Sequence, residues 1–297
     1  MIDLICHNHG EQYPKISCLS EGFVRLVDCM PRISYDKDIT TLDHAVTQAA
    51  RLSYSHGTKT INKDKALLRY LLRHMHTSPF EMIEFKFHMK LPIFIARQIV
   101  RHRTASLNEL SGRYSILPCK FDVPSKVREQ SKSNKQGSEG LVNEKDSEWF
   151  VDTLEELCEN AYQKYHEALA KGISREQARE FLPINVYTEW FWKVDLHNLL
   201  HFLSLRCDEH AQKEVRDYAN AILELITPLV PVTIEAWNDY DPLRGGMLLT
   251  KQEVEFIKDS NINEFSESKL KTGNKREKLE WKEKAEKLGL CFTTVES

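Results

Sequence analysis

Between residues 83 and 100 the apolar side chains of this chain switch from a spacing of two to a helical spacing. Ile83, Phe85, Phe87, Met89 and Leu91 alternate with Glu84, Lys86, His88 and Lys90. Successive side chains of a strand point to opposite faces, so one face of this strand is apolar and the other charged. It must lie in a sheet that is buried on one side only. Pro92 follows, a residue suited to the first turn of a helix, and Ile93 to Val100 continue that helix. Upstream, Leu42, Ala45, Val46, Ala49 and Leu52 form a helical stripe. Leu67, Leu68, Leu71, Leu72 and Met75 form another over 64–76, with Ser78-Pro79 as the expected stop.

Downstream, Ser147 is expected to cap a long helix reaching Lys171 and closed by Gly172. Ser174-Arg175-Glu176-Gln177 has the form of a capping box for a short helix that stops before Pro183. Residues 184–194 are aromatic and β-branched, which predicts a second strand. Asp195 is expected to cap a helix with Leu196, Leu199, Leu200 and Leu203 on its core face, and a further helix is expected over 209–226. The pattern predicts an α+β domain, a twisted sheet flanked by long helices, over residues 21–245. Residues 1–20 read as an N-terminal extension. Residues 130–147, almost without apolar side chains, read as a mobile surface insertion. Residues 246–297 read as a charged tail, since Lys251 onward holds ten Lys/Arg and ten Asp/Glu.

A net charge of −3 offers no global attraction to nucleic acid or to an anionic membrane. No apolar run approaches the ~20 residues that span a bilayer. The N-terminus lacks a basic segment followed by a long apolar one, and the seven cysteines include no CxxC. The expectation is a cytoplasmic protein with free thiols and no bound metal. Cys6, His7, His9 and Cys18 fit no standard zinc spacing, and His197 with His201 lack an evident third ligand.

Against this ordinary background, residues 101–114 hold three Arg, one His, one Glu and two Ser. Guanidinium groups grip phosphate bidentately and stay charged at any working pH. Ser111-Gly112-Arg113 adds a hydroxyl, a close-approach glycine and a fork of donors. Glu109, inside this basic field, suits a ligand donor such as a base N–H or a ribose hydroxyl. The chemistry is that of a nucleotide site. Ser111 could also be read as a nucleophile, but that role needs an adjacent base, and Leu110, Gly112 and Arg113 supply none.

Arg-His-Arg-x-x-Ser followed by Ser-x-Arg-Tyr fixes seven identities over these fourteen positions. The sequence here resembles the flavin-dependent thymidylate synthases. The likeness runs from about Gly22 to Trp237. It takes in Phe23 to Asp28, Ala50 to Tyr54, His76 to Glu81, Leu182 to Asn185 and Leu203 to Gln212. It implies a fold of the thymidylate synthase-complementing type and reductive methylation of dUMP to dTMP. FAD is the implied cofactor, with NADPH and 5,10-methylenetetrahydrofolate as co-substrates. It also implies a homotetramer in which each site is shared between subunits.

By the same resemblance, dUMP is held by Gln98, Arg101, Glu109, Leu110, Ser111, Gly112, Arg113, Arg179 and Arg206. Arg206 faces the uracil, where a fixed cation would favour negative charge on the ring, and it is the expected catalytic residue. The implied FAD contacts are Ser53, Ser78, Arg101, His102, Arg103, Thr104, Glu109, Asp195, Leu196, His197 and His201. His76 and Glu81 lie nearer the cofactor pocket. The family often carries Asn where Asp195 stands. A carboxylate there would repel an anionic cofactor, so Asp195 is expected to act through its backbone or as a helix cap. A nucleic-acid-binding module is the competing reading of the arginine cluster, and the negative net charge counts against it. A third reading is a binding protein that has lost turnover.

Overall fold

The computed structural model describes residues 14–31, 41–52, 61–132, 134–259, 265–266, 275–287 and 292–293. The chain divides into two compact units, Met1–Tyr240 and Asp241–Ser297. In the first unit, strand β1 (Lys15–Cys18) runs antiparallel to β2 (Gly22–Met30). Helices α1 (Asp43–Leu52), α2 (Ile61–Arg73) and α3 (Ser78–Glu81) come next, then strand β3 (Glu84–Pro92) and helix α4 (Ile93–Ile99). Strand β4 (Ser106–Glu109) precedes a short hairpin of β5 (Glu129–Gln130) and β6 (Ser138–Glu139). The long helix α5 (Glu144–Ala170) leads to α6 (Arg175–Ala178) and a 3₁₀ turn, Arg179–Phe181. Strand β7 (Tyr187–Asp195) and helices α7 (Leu196–Arg206), α8 (Lys213–Ile226) and α9 (Pro231–Tyr240) complete it.

The main sheet has five strands in the order β1-β2-β3-β7-β4, all antiparallel. The alternation in β3 has the consequence expected of it. Phe85, Phe87, Met89 and Leu91 are fully buried, beside Val24 and Leu26 of β2 and Trp190, Trp192 and Val194 of β7. The helices cover this face with Leu199, Phe202 and Leu203 of α7 and Val215, Tyr218 and Ile222 of α8. The opposite face carries Lys86, His88, Lys90, Glu189, Phe191 and Lys193, so the structure is α+β with one polar sheet face. His88 bonds Glu189 at 2.9 Å and lies 5.0 Å from the Phe23 ring and 5.1 Å from the Phe191 ring.

Several element ends differ from the sequence reading, each for a local reason. Helix α2 stops before Ser78-Pro79. Met75 adopts φ 58, His76 N–H bonds Leu71 O at 2.9 Å and Met75 N–H bonds Leu72 O at 3.1 Å, which is a Schellman motif. Pro92 is the cap of α4 and the last residue of β3, since φ −64 with ψ 147 serves both. The cap of α5 is Asn143, whose side chain accepts from Asp146 N–H at 3.0 Å, so the helix starts upstream of Ser147. Gly172, at φ 83, does close it. Ser174 is the N-cap of α6 but makes no side-chain cap bond. Helix α8 begins at Lys213, because Asp208 Oδ1 accepts from His210 N–H at 2.9 Å and holds the preceding residues in a turn. The Asp195 cap stands: its Oδ1 accepts from Asn198 N–H at 2.9 Å. Asp43 has a capping role that no local pattern signalled. Buried at 6% exposure, it accepts from Val232 N–H at 2.8 Å and Thr233 N–H at 2.9 Å at the start of α9.

Residues 130–147, read as mobile, contain the β6 side of the hairpin, and Gln130 reaches Gly137 O at 2.9 Å. The second unit holds helices α10 (Lys251–Asp259) and α11 (Lys275–Lys287) and the strand pair β8 (Phe265–Ser266) and β9 (Phe292–Thr293). This stretch is less uniformly solvated than its charge implied. Phe256 and Trp281 are buried and meet edge to face at 5.4 Å, and Lys284 pairs with Glu253 at 2.6 Å. No helix among the described residues is long and apolar enough to cross a membrane.

Candidate active site

Two structural devices set the position of residues 98–115. The first is helix α4, whose opening N–H groups need partners from outside the helix. Ile93 N–H bonds Val186 O at 3.0 Å and Phe94 N–H bonds Ile184 O at 2.9 Å, which ties α4 to the approach to β7. Asn185 fixes that approach in turn, its amide donating to Asp122 O at 2.9 Å. The second device is the edge of the sheet. Ser106–Glu109 are all exposed and show no apolar alternation, yet they pair with Trp190–Lys193 of β7. The exposed edge of β7 templates β4, and Leu110 N–H extends the ladder to Glu189 O at 2.8 Å.

Beyond β4 the chain turns over Ser111. Tyr114 N–H and Ser115 N–H both bond Ser111 O at 3.1 Å, and Arg113 N–H reaches Ser111 Oγ at 3.3 Å. Gly112 is buried here. A Cβ on it would lie 3.1 Å from Leu117 Cδ1 and 3.3 Å from Arg179 Cδ, so glycine lets the turn close against Arg179. Helix α5 supports both neighbours. Its Tyr165 hydroxyl accepts from Leu117 N–H at 3.3 Å, and Tyr165 and Ala168 pack with Ala178 just before Arg179.

The result is a cavity of about 330 Å³, lined by Glu109, Leu110, Ser111, Gly112 and Arg179 together with Thr188 and apolar residues including Ile93 and Leu117. It gathers five of the residues expected to hold the nucleotide. Thr188 Oγ1 donates to Glu109 Oε1 at 2.8 Å, which fixes the carboxylate and leaves its other oxygen for a ligand donor. Thr188 carried no sequence signal beyond its place in a strand. Arg113 turns to Glu176 at 3.4 Å and does not line the cavity. Ser111 Oγ has no base within hydrogen-bond reach among the described residues.

Gln98, Arg101 and Arg206 also lie outside the cavity lining. Gln98 donates to Gln212 Oε1. Arg206, the last residue of α7, belongs to a second cluster. His102 lies 6.0 Å from the His201 ring, 6.1 Å from Trp192 and 5.6 Å from Phe202, with its Nε2 buried and unpartnered. Burial lowers the His102 pKa, with His201 and Arg206 adding to the effect and Asp195 opposing it. The ring is therefore neutral near neutral pH, and the positive charge comes from guanidinium groups. Arg101 and Arg103 are exposed, and among the described residues neither they nor Arg206 has an ion-pair partner. A salt-bridged helix end would have given them one.

The remaining expected cofactor contacts are distributed around this second cluster. Thr104 is exposed beside Arg103. Leu196 is buried at the start of α7, and its N–H bonds Ile83 O at 2.8 Å, which holds the α7 start to the end of the α3 segment that bears Ser78 and Glu81. Ser78 and Glu81 are exposed, as are His76 and His201, and His197 is partly buried. The Asp195 carboxylate is spent on Asn198, whose amide also donates to Oδ2 at 2.7 Å. Ser53 lies outside the described residues, as do Cys6, His7 and His9. The unpaired arginines and the orphaned His102 nitrogen are a donor set that fits an anionic cofactor such as FAD.

Residues 37–232 match the family model described as thymidylate synthase complementing protein. The chain is 53% identical over 277 residues to a flavin-dependent thymidylate synthase of Dictyostelium discoideum, covering 93% of this chain and 88% of that one. It is 48% identical over 255 residues to one from Thermus thermophilus, covering 86% of this chain and 89% of the other. The first of these alignments extends beyond the Gly22–Trp237 stretch that carries the motifs. Among solved structures, a UMP/dUMP methylase, PolB, from Streptomyces cacaoi bound with 5-Br dUMP superposes with a TM-score of 0.66 at 32% identity. That alignment covers 76% of this chain and 98% of the methylase.

Proposed function

Because the chain belongs to the thymidylate synthase complementing protein family, we propose that it carries out the reductive methylation of dUMP to dTMP. Methylenetetrahydrofolate donates the carbon and NADPH the electrons. The observation that carries this reading is the cavity joining Glu109–Gly112 to Arg179, two segments far apart in sequence. Its chemistry is that of a nucleotide seat. Ser111 and Arg179 hold the phosphate, and the free oxygen of Glu109 accepts from a sugar or base donor. Arg113 exchanges its exposed pairing with Glu176 for the phosphate at small cost, since surface pairs contribute ~0–1 kcal/mol.

Arg206 faces the uracil and lowers the cost of charge developing on the ring, which makes C5 more electron-rich. FAD supplies hydride transfer when bound. Arg101, Arg103 and Thr104 would hold its anionic part, with His102, His197, His201 and the α7 start around it. Ser78 is assigned to the same pocket by family likeness. Family likeness implies a homotetramer whose sites draw on neighbouring subunits. The catalytic unit is assigned to residues 21–245, in the cytoplasm.

Methylation at C5 must release the hydrogen held there. Tritium release from 5-labelled dUMP, requiring both folate and NADPH, is the expected result. Bound flavin and dUMP without release would favour a non-catalytic scaffold. Ser111→Ala should weaken dUMP binding by roughly tenfold or more, the loss of one bond to a charged group, and leave residual turnover. Calorimetric titration beside the assay checks this. Complete loss of turnover at unchanged affinity would restore the nucleophile reading of Ser111.

A further inference from the structure

We infer that Glu214 is a positioning residue for nucleotide recognition, acting through Gln212 to fix which end of the Gln98 amide faces the ligand; this rests on the dUMP reading above. Glu214 is the second residue of α8 and is buried, at 8% exposure. Arg128 Nη2 donates to its Oε1 at 2.5 Å, and Gln212 Nε2 donates to its Oε2 at 2.8 Å. Burial is the largest influence and pushes the carboxyl pKa up. The hydrogen bonds from Arg128, its own backbone N–H and Gln212 outweigh it together and hold the pKa below the ordinary value. Glu214 is therefore ionised at neutral pH and can only accept.

The consequence runs along the chain of amides. The two ends of a glutamine amide are nearly the same size, so its orientation is set by its partners. Facing an ionised carboxylate, Gln212 must present its NH₂ group. Its carbonyl then faces Gln98, and Gln98 Nε2 donates to it. Gln98 in turn has its carbonyl oxygen left over, and among the described residues nothing donates to that oxygen. Gln98 thus offers an acceptor, suited to a hydroxyl or ring N–H of the nucleotide. Arg128 completes the arrangement from the far side. Its Nε donates to Ser138 Oγ at 2.8 Å, so the hairpin that reads as a polar insertion also holds the cation that keeps Glu214 charged.

The test is a double-mutant cycle on the full-length protein, with dUMP affinity measured by calorimetry and folding by thermal melting. Glu214→Gln should weaken dUMP binding roughly tenfold, and Gln98→Ala by a similar factor. The double variant should bind about as weakly as Gln98→Ala alone, because Glu214 acts through Gln98. Effects that multiply in the double variant, or wild-type affinity in Glu214→Gln, would overturn the inference. Should Glu214→Gln fail to fold, Gln212→Met replaces it in the same cycle, with the same coupling expected and the same outcomes overturning the idea. Wild-type protein that binds no dUMP would sink the underlying reading, a failure distinct from wild-type binding with no coupling.

Discussion

Arg206→Ala should yield a folded protein that makes almost no dTMP. A single well-placed donor at developing charge is worth ~3–4 kcal/mol, a loss of roughly 10²–10³ in kcat. The fold gives little reason for any other effect. Arg206 ends α7, while the buried face of that helix is carried by Leu196, Leu199, Leu200, Phe202 and Leu203. Its guanidinium has no carboxylate partner among the described residues, so truncation leaves no orphaned counter-charge. It does lose a favourable interaction with the C-terminal end of the helix dipole, ~0.3–1 kcal/mol. Turnover should thus fall far more than the melting temperature. Arg206→Lys, which keeps the charge but loses the planar fork, should recover only part of the rate. Near-normal dTMP formation by Arg206→Ala would refute the activating role.

Gly22→Ala should cripple folding without touching any site residue. A Cβ at this position would lie 2.0 Å from the Tyr218 hydroxyl, 2.7 Å from Cys18 O and 2.8 Å from Lys90 O. Two of these three are backbone atoms of the flanking strands and cannot swing away. Gly22 pairs with Cys18 where β1 turns into β2, and Tyr218 of α8 donates to Lys90 O at 2.7 Å across the same spot. One added methyl group must therefore separate β2 from β3 or lift α8 off the sheet. Overpacking of this kind costs ~1–3 kcal/mol, and the rigid backbone on two sides puts the expected loss at ~3 kcal/mol or more. Urea unfolding with a fluorescence readout measures it. Adding Tyr218→Phe should recover only part of the stability, since the two carbonyls remain. An unchanged unfolding midpoint for Gly22→Ala would contradict this packing.

Elements with a local cause are legible in the sequence, and elements with a distant cause are not. Strand β3 was legible because Phe85, Phe87, Met89 and Leu91 alternate with charged residues, a signal contained within the strand. The caps at Asp195 and Gly172 were legible for the same reason. Strand β2 was not, because Phe23, Arg25 and Val27 on the open face include apolar side chains that mask the alternation. Strand β4 was invisible, since its only cause is the free edge of β7. The end of α2 was misplaced because a Schellman motif at Met75 uses a residue rarely found at positive φ.

At the site, the arginines and Ser111-Gly112 announced anion binding through composition alone. Their assembly with Arg179 depended on α5, whose Tyr165 and Ala168 show nothing but a helical stripe. Thr188, Gln212 and Glu214 work by orienting other side chains. A polar residue that bonds another polar residue leaves no pattern in a single sequence.

On the proposed function, guanidinium groups from separate parts of the fold seat a pyrimidine mononucleotide against a redox ring. The ultraviolet–visible spectrum of the purified protein, recorded before and after addition of dUMP, tests it most directly. Flavin absorption bands that shift when dUMP is added are the expected result. A well-folded, colourless protein that takes up no added FAD, and whose spectrum is indifferent to dUMP, would contradict it.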